Sequence, residues 1–229
     1  MIEDPPILTI RRNFPRPTPA QVAALTGVPS GYAVDGLGGR GALDGRIKPI
    51  GATPPAFCGV ALPCEAGPAD NLAVFAAVDA ARSGDVIIAA TDAFSATAVV
   101  GDLVLGMARN RGVAAFVTDG TVRDTEGIEG VGMPCFAAGV TPNSPARNGP
   151  GTVGQPITLG GVTVAAGDIL LGDRDGVVVV PQAQIDTVIA RLEAIRAAEA
   201  ELEAKVSGGL EVPDFIKDLL ASDRVREVE

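Results

Sequence analysis

The middle of the chain alternates short apolar runs with amphipathic stretches of helical length, and this alternation constrains the fold more than any other feature. In chain order the segments are a strand at 57–62, a helix at 71–82, a strand at 85–90, a helix at 102–111 and a strand at 113–118. Asp70 can cap the first helix, and Gly112 ends the second. Strands that alternate with helices of this length are typical of βαβ units, so we expect an α/β fold with a partly parallel sheet.

The segment that follows this central part has a different pattern. After Pro134, short apolar runs are separated by Gly and Asp turns, which predicts a second β-layer built of hairpins. Residues 182–206 then form one long amphipathic helix, which ends at Ser207. The apolar stripe of this helix consists of Val188, Leu192, Ile195 and Leu202.

The chain is therefore expected to form one domain with an appendage at each end. The N-terminal arm spans residues 1–50 and contains a short helix that Thr18 caps, with Pro19 in its first turn. The α/β core spans residues 51–181. The C-terminal helices at 182–229 expose many charges, and we expect them to pack on a neighbouring subunit.

A glycine-rich stretch in the N-terminal arm matches the G-x-G-x-x-G pattern at Gly36, Gly38 and Gly41. In dinucleotide-binding or methyl-donor-binding folds, this motif lies between a buried strand and a helix. Here the candidate strand is only 32–34, and no helical apolar stripe follows it. We therefore interpret this stretch as a turn-rich linker.

The chain contains no histidine, and this absence narrows the chemistry it can perform. It excludes Ser-His-Asp and Cys-His nucleophile activation as well as histidine-based zinc sites. Lysine occurs only at Lys48, Lys205 and Lys217, none of them in an apolar run, which disfavours Schiff-base chemistry. Catalysis must then rely on carboxylates, arginine, backbone amides or a hard metal ion.

Charge and hydropathy restrict the partners and the compartment. The net charge of −10 has the wrong sign for binding a phosphate backbone, so we expect no nucleic-acid partner. The N-terminus lacks the pattern of a signal peptide, and no window approaches the roughly 20 apolar residues of a membrane span, so we expect a cytoplasmic protein without a membrane partner. Cys58, Cys64 and Cys135 form no C-x-x-C pair and are expected to be reduced, buried thiols.

Residues 101–112 offer a candidate anion site at the start of a predicted helix. If Gly101 enters the helix and Asp102 caps it, the amides of Leu103 and Val104 lie in the first turn and have no intrahelical acceptor. Such a helix start attracts a carboxylate or a phosphate group. The alternative is that Asp102 only caps its own helix.

Arg123 and Asp124 follow a predicted buried strand. The Asp-Gly pair at 119–120 should end that strand and leave residues 121–126 in a turn or first helical turn, where neighbouring side chains can converge. The arginine offers a fork that matches a substrate carboxylate, and the carboxylate suits Mg²⁺, which takes few protein ligands. The alternative is an ordinary surface ion pair.

These motifs resemble those of the family that includes the 4-hydroxy-4-methyl-2-oxoglutarate aldolases and the regulator of ribonuclease activity A. The matching motifs are GDL at 101–103, DGTVRD at 119–124, GMPCFAAG at 132–139 and GDRDGVVVVP at 172–181. The similarity covers roughly residues 55–205. Its most specific element is the Asp-x20-Arg-Asp pattern formed by Asp102, Arg123 and Asp124, in matching strand and turn context.

The resemblance implies a site for a divalent metal and a 2-oxo acid. In the catalytic branch of the family, Asp124 would bind Mg²⁺ or Mn²⁺, and Arg123 would hold the pyruvate moiety. The turn from Gly101 through Leu103 to Val104 would receive the substrate carboxylate on its amides. Asp102 would orient water on the metal.

The resemblance also implies a β/β/α swivelling-type sandwich that assembles into homotrimers or homohexamers, with sites at subunit boundaries. In the catalytic branch, a glutamate from the neighbour's C-terminal helix enters the site. Glu199 matches this glutamate best by its distance from the end of the helix, and Glu203 is the alternative.

The function expected from these observations is that of a class II pyruvate aldolase acting on a small 4-hydroxy-2-oxo acid. Without imidazole or a suitable lysine, a metal ion must stabilise the pyruvate enolate. Decarboxylation of oxaloacetate passes through the same enolate and is expected as a side activity. The alternative is a non-catalytic, protein-binding regulator of the same fold, for which an acidic surface is also suitable. Methyl transfer, a third alternative, depends only on the glycine stretch.

Overall fold

The computed structural model describes residues 6–228, so that residues 1–5 of the expected N-terminal arm and residue 229 lie outside the described part. The strands, in chain order, are β1 (Leu8–Ile10), β2 (Lys48–Pro49), β3 (Phe57–Glu65), β4 (Asp85–Ala90), β5 (Ala98–Val100), β6 (Ala115–Thr118), β7 (Thr121–Val122), β8 (Cys135–Ala137), β9 (Gly139–Val140), β10 (Gly151–Val153), β11 (Ile157–Leu159), β12 (Val162–Val164), β13 (Ile169–Gly172) and β14 (Val177–Val180). The helices are α1 (Pro19–Leu25), α2 (Ser30–Gly36), α3 (Leu72–Ala80), α4 (Asp102–Asn110), α5 (Thr125–Val131), α6 (Ile185–Ser207) and α7 (Asp214–Leu220).

A mixed nine-stranded sheet forms the centre of the molecule. Its main path runs in the order β1-β10-β3-β4-β6-β8-β2, and the β13–β14 hairpin joins it through antiparallel pairing of β13 with β3. The four consecutive strands β3, β4, β6 and β8 are parallel. Helices α3, α4 and α5 lie in the connections between them, so the predicted partly parallel sheet is confirmed.

Two smaller sheets accompany the central one. Strands β5, β7 and β9 form a parallel three-stranded sheet, and β11 pairs with β12 as an antiparallel hairpin. The hairpins predicted after Pro134 are therefore present as β11–β12 and β13–β14, although the second of them extends the central sheet. The predicted fold class, a mixed α/β fold with further strands and a long C-terminal helix, is confirmed.

Apolar clusters cover both faces of the central sheet. On one face, α3, α4 and α5 contribute Val74, Leu105 and Ile128, and on the other β11 contributes Ile157 and Leu159. A third cluster joins α1, α2 and α6 to the β13–β14 hairpin. Every residue of β4 is buried, which explains why this strand is continuously apolar after its first residue. That first residue, Asp85, is buried as well, and its carboxylate accepts a hydrogen bond from the Arg82 amide at 2.9 Å.

The start of the glycine-rich stretch is helical, whereas the sequence analysis interpreted the stretch as a turn-rich linker. Residues 32–34, considered as a candidate strand, lie inside α2, and Gly38 and Gly41 follow in turns with positive φ angles of 70° and 87°. A Cβ atom on Gly36 would lie 3.0 Å from Cγ1 of Val188, so this glycine lets α2 approach α6 closely. The first glycine of the motif is therefore needed for helix packing. The sequence motif alone cannot distinguish a glycine with this role from one in a phosphate-binding loop.

The predicted helix ends are confirmed in part. Thr18 caps α1 in a reciprocal capping box with Gln21. In α3 the N-cap position is occupied by Asn71 rather than by Asp70, although the Asp70 carboxylate accepts a hydrogen bond from the Leu72 amide at 2.8 Å. This helix ends at Ala80, two residues earlier than predicted. Helix α6 begins at Ile185, three residues later than predicted, because a 3₁₀ turn precedes it.

Helix α6 is buried only in its first half. Val188 and Leu192 of the predicted stripe are buried, whereas Leu202 is 46% exposed. Further apolar side chains of the C-terminal segment are exposed as well, among them Val206 and Phe215. The apolar stripe of α6 therefore continues beyond the surface that α1 and α2 cover in one chain.

The cysteines agree with the prediction of unpaired thiols. Cys64 and Cys135 are fully buried, and burial raises the pKa of each thiol to about 12. Cys58 is less buried, and burial raises its pKa to about 11. Within residues 6–228, no helix combines the length and the apolar character that crossing a membrane requires.

We predict that the substitution Ile87→Ala lowers the free energy of unfolding by about 2–5 kcal/mol, because it opens a cavity in the central strand. Ile87 is 0% exposed. The matched control Ile7→Ala changes a side chain that is 64% exposed, and it should alter stability by less than about 0.5 kcal/mol. Urea denaturation measures both values, and equal effects would contradict the assignment of the core.

Candidate functional site

The parallel sheet β5-β7-β9 brings three separate chain segments to one edge. Gly101 and Asp102 follow β5, Arg123 and Asp124 follow β7, and the loop containing Ser144 follows β9. Because the strands are parallel, their carboxyl ends meet at the same edge. The predicted site is thus located beside this small sheet rather than at the end of the central strand β6.

The start of α4 differs in detail from the prediction. Gly101 occupies the N-cap position and Asp102 is the first helical residue, so Asp102 does not cap the helix. Its Oδ1 accepts a hydrogen bond from the Leu103 amide at 2.7 Å. Of the two amides predicted to receive an anion, that of Leu103 therefore already has a partner, whereas the amide of Val104, in the third helical position, has no intrahelical acceptor.

The segment around Arg123 also differs from the predicted turn at 121–126. Thr121 and Val122 form the short strand β7, and the Arg123 amide donates to the carbonyl of Val100 in β5 at 3.0 Å. Asp124 adopts a left-handed conformation (φ 59°, ψ 49°) and precedes helix α5, which the sequence pattern did not reveal. This single left-handed residue redirects the chain from strand to helix, and aspartate tolerates that conformation better than most residues.

The charged side chains of this segment contact each other and the third loop. Arg123 Nε lies 3.2 Å from Asp124 Oδ2, and Arg123 Nη1 donates to the Ser144 hydroxyl. The two charged side chains are 34% and 44% exposed, so their ion pair contributes little to stability. The pair therefore remains accessible to a ligand.

Two glycines permit close approach of these groups to the backbone. A Cβ atom on Gly101 would overlap the Asp124 carboxylate and lie 3.2 Å from Arg123 Nε. A Cβ atom on Gly127 would overlap the Asp102 side chain, at 2.7 Å from its Cγ. Gly127 was not recognised as a site residue, because a glycine inside a short helix carries no distinctive sequence signal.

The oxygen donors at this edge fit a hard cation with few protein ligands. Among residues 6–228 there is no cluster of three or more Cys, Asp or Glu side chains that could enclose a metal. Asp124 borders an open hollow that Thr125, Glu126 and Gly127 also line. One or two carboxylates beside an open space suit Mg²⁺, which retains most of its water.

Glu199, the predicted contribution from a neighbouring subunit, is exposed in α6, as is Glu203. The buried half of α6 packs on α1, α2 and the β13–β14 hairpin. Within the described chain, no hydrogen bond or ion pair joins either glutamate to Arg123 or Asp124. One chain alone therefore brings together Asp102, Arg123 and Asp124 but not Glu199.

A separate cavity of about 310 Å³ lies near the other end of β7, where Asp119 and Thr121 line it. The Asp119 carboxylate accepts hydrogen bonds from the amide and hydroxyl of Thr91 and from the amide of Ala93. It therefore stabilises the turn after β4. The Asp-Gly pair of the DGTVRD motif is structural, whereas its Arg-Asp pair is exposed to solvent.

Comparison with known proteins gives consistent matches. The family model RraA-like (Aldolase/RraA) matches residues 31–179. A Halalkalibacterium halodurans protein named "Putative 4-hydroxy-4-methyl-2-oxoglutarate aldolase" is 34% identical over 180 residues, which cover 79% of this chain and 85% of the relative. The resemblance inferred from the GDL and DGTVRD motifs is thereby confirmed.

Solved structures show the same fold. A structure of an uncharacterized protein from Pseudomonas syringae pv. tomato has a TM-score of 0.74 at 24% identity and covers 86% of this chain and 96% of that chain. The structure of the RNA-processing inhibitor RraA from Thermus thermophilus has a TM-score of 0.57 at 31% identity and covers 61% of this chain and 84% of that chain.

We predict that Gly127→Ala lowers the free energy of unfolding by about 1–3 kcal/mol, because the added methyl group pushes α5 away from Asp102 of α4. Gly130→Ala in the same helix is the matched control. A Cβ atom at Gly130 meets nothing within 4 Å, so this change should stabilise the protein by about 0.5–1 kcal/mol. Urea denaturation measures the free energy of unfolding of both variants. Changes of the same sign would contradict the close approach of Gly127 to Asp102.

Proposed function

The chain belongs to the RraA-like family, and on this premise we propose that it is a divalent-metal-dependent aldolase. Its substrates are 4-hydroxy-2-oxo acids such as 4-hydroxy-4-methyl-2-oxoglutarate, which it cleaves to pyruvate and a second oxo compound. Decarboxylation of oxaloacetate is a side activity. The observation that carries the proposal is the convergence of Asp102, Arg123 and Asp124 at one edge of a parallel sheet.

Arg123 is the anion-binding residue of this proposal. Its Nε and Nη1 have protein partners, and among the described residues Nη2 has none. Nη2 can therefore donate to an oxygen of the pyruvate moiety. The amide of Val104, in the first turn of α4, offers a second donor to the substrate carboxylate.

Asp124 would hold the metal, Mg²⁺ or Mn²⁺, next to the positively charged guanidinium of Arg123. A bound ion would supply a Lewis acid for the keto group of the substrate. The chain has no histidine that could bind the metal, and the thiols of Cys64 and Cys135 are buried. Carboxylate oxygens such as those of Asp124 are therefore the ligands available at this edge. Oxygen-only coordination favours Mg²⁺ or Mn²⁺ over softer metals.

Asp102 moves the proton that the cleavage requires. As the C3–C4 bond breaks, the C4 hydroxyl loses its proton and becomes a carbonyl, and the bonding electrons pass into the pyruvate enolate. The Asp102 carboxylate is held against Gly127 at the same edge, where it can accept this proton through a water molecule. Protonation of C3 then yields pyruvate. In oxaloacetate, loss of carbon dioxide gives the same enolate.

A neighbouring subunit completes the site in this proposal. The second half of α6 is exposed, and Glu199 lies on it. Apolar side chains of the same segment, including Leu202 and Val206, lack cover in one chain. Packing of this segment on a second copy in a homotrimer or homohexamer would bury them and bring Glu199 to the neighbour's Asp124.

The second candidate function is that of a non-catalytic, protein-binding regulator. The likeness to the RNA-processing inhibitor RraA from Thermus thermophilus and the net charge of −10 favour it. A regulator that acts through its surface does not require the Asp102–Arg123–Asp124 arrangement. Turnover therefore distinguishes the two candidates.

We expect the protein to release pyruvate from 4-hydroxy-4-methyl-2-oxoglutarate and from oxaloacetate in the presence of Mg²⁺ or Mn²⁺, and EDTA should abolish this activity. Asp124→Asn should lower kcat/KM at least about 100-fold, since it weakens the hold on the ion. A lactate dehydrogenase-coupled assay measures pyruvate release.

The matched control is Asp79→Asn, because Asp79 also pairs with an arginine, Arg12, but lies on the surface. It should leave kcat/KM unchanged. Absence of turnover on both acids, with no effect of metal, would reject the aldolase and favour the regulator.

We further expect Glu199→Ala to be inactive on its own and to regain activity when its subunits are exchanged with those of Asp124→Ala. In mixed assemblies about a quarter of the sites combine an intact Asp124 from one subunit with an intact Glu199 from its neighbour. The same experiment with Glu203→Ala in place of Glu199→Ala is the control. It decides which of the two glutamates contributes to the neighbouring site. No recovery after verified subunit exchange would exclude a shared site built with Glu199.

A further inference from the structure

We propose that Ser144 is a positioning residue that orients the Arg123 guanidinium toward the substrate, an inference that depends on the proposed aldolase function. The Ser144 hydroxyl accepts a hydrogen bond from Arg123 Nη1, while Nε lies 3.2 Å from Asp124 Oδ2. With Nε and Nη1 both engaged, the plane of the guanidinium is set. The remaining nitrogen, Nη2, has no hydrogen-bond partner among the described residues and is available to the pyruvate moiety.

Arg123 requires such a second contact because it is partly exposed. Its side chain is 34% accessible, and a long side chain with one partner retains rotamer freedom that a ligand must then remove. A contact to Asp124 alone leaves the rotation of the guanidinium plane open. The bond to Ser144 restricts this rotation before the substrate binds.

The loop that carries Ser144 is anchored before the serine. The Asn143 side-chain amide donates to the carbonyl of Ala96 at 2.7 Å, and the Asn143 carbonyl accepts from the Ala98 amide at 3.0 Å. Both partners belong to β5 or to the residues directly before it. The residue directly before Ser144 is therefore attached to the strand that leads into Gly101.

The loop is also anchored after the serine. The carboxylate of Asp70, which is 8% exposed, accepts hydrogen bonds from the amides of Asn148 at 2.6 Å and Gly149 at 3.2 Å. Ala146 forms a bridge to the same residue. A hydroxyl on a loop held at both ends can set the direction of a flexible arginine.

The test compares Ser144→Ala, which removes the hydroxyl, with Ser144→Thr, which retains it. Ser144→Ala should lower kcat/KM for oxaloacetate and weaken the binding of oxalate, a mimic of the pyruvate enolate, by about 5- to 30-fold. Ser144→Thr should recover most of both. The affinity for Mn²⁺ without an oxo acid should stay unchanged, because among the described residues no hydrogen bond joins Ser144 to Asp124.

Arg123→Lys provides the decisive background for a double-mutant cycle. If Ser144 acts through Arg123, adding Ser144→Ala to Arg123→Lys should cause less than about a 2-fold further loss. Ser95→Ala is the control, since Ser95 is exposed in the loop between β4 and β5. It should behave like the wild type.

The possible results separate the role of Ser144 from the proposed aldolase function. An active wild type with Ser144→Ala equal to Ser95→Ala would overturn the role of Ser144 alone. A full further loss in the Arg123→Lys background, or a parallel loss of Mn²⁺ affinity, would show a general structural role and overturn it too. A wild type that neither turns over oxaloacetate nor binds oxalate would reject the proposed function itself, and the role of Ser144 with it.

Discussion

Parallel pairing of β5, β7 and β9 is the constraint on which the candidate site depends. Each of these strands has only two or three residues, yet their common direction places the segments after them at one edge. The hydrogen bond from the Arg123 amide to the Val100 carbonyl joins two of these segments directly. Without this pairing, Asp102, Arg123 and Ser144 would be polar residues on unrelated loops.

The site is arranged for access rather than for stability. The Arg123–Asp124 pair is roughly one-third to one-half exposed, so water weakens the attraction between its charges. By contrast, the carboxylates of Asp70 and Asp119 are engaged by backbone amides and serve to shape loops. The same residue type thus has two roles in this fold, and the number of backbone donors around each carboxylate separates them.

The sequence predicted those elements well whose pattern depends on local physics. Strand β4 was predicted at its observed bounds because a strand buried on both faces shows a run of apolar residues, here from 86 to 90 after Asp85. The pattern was misleading at residues 32–34, because three residues are too few to distinguish a strand from a helix. These residues lie in α2, which packs closely on α6 where Gly36 meets Val188. It also missed α5, because its two internal glycines conceal a helical pattern.

The sequence by itself limited the chemistry available to this protein: without histidine and with few lysines, the groups left for catalysis are carboxylates, arginine, backbone amides or a bound metal ion. It also identified the family, because the Asp102, Arg123 and Asp124 spacing is readable along the chain. Only the tertiary structure decided that Ser144, 21 residues from Arg123, meets its guanidinium, and that Gly127 lies against Asp102. Such contacts depend on strand register and helix approach, which are set by the packing of the whole chain and leave no local pattern.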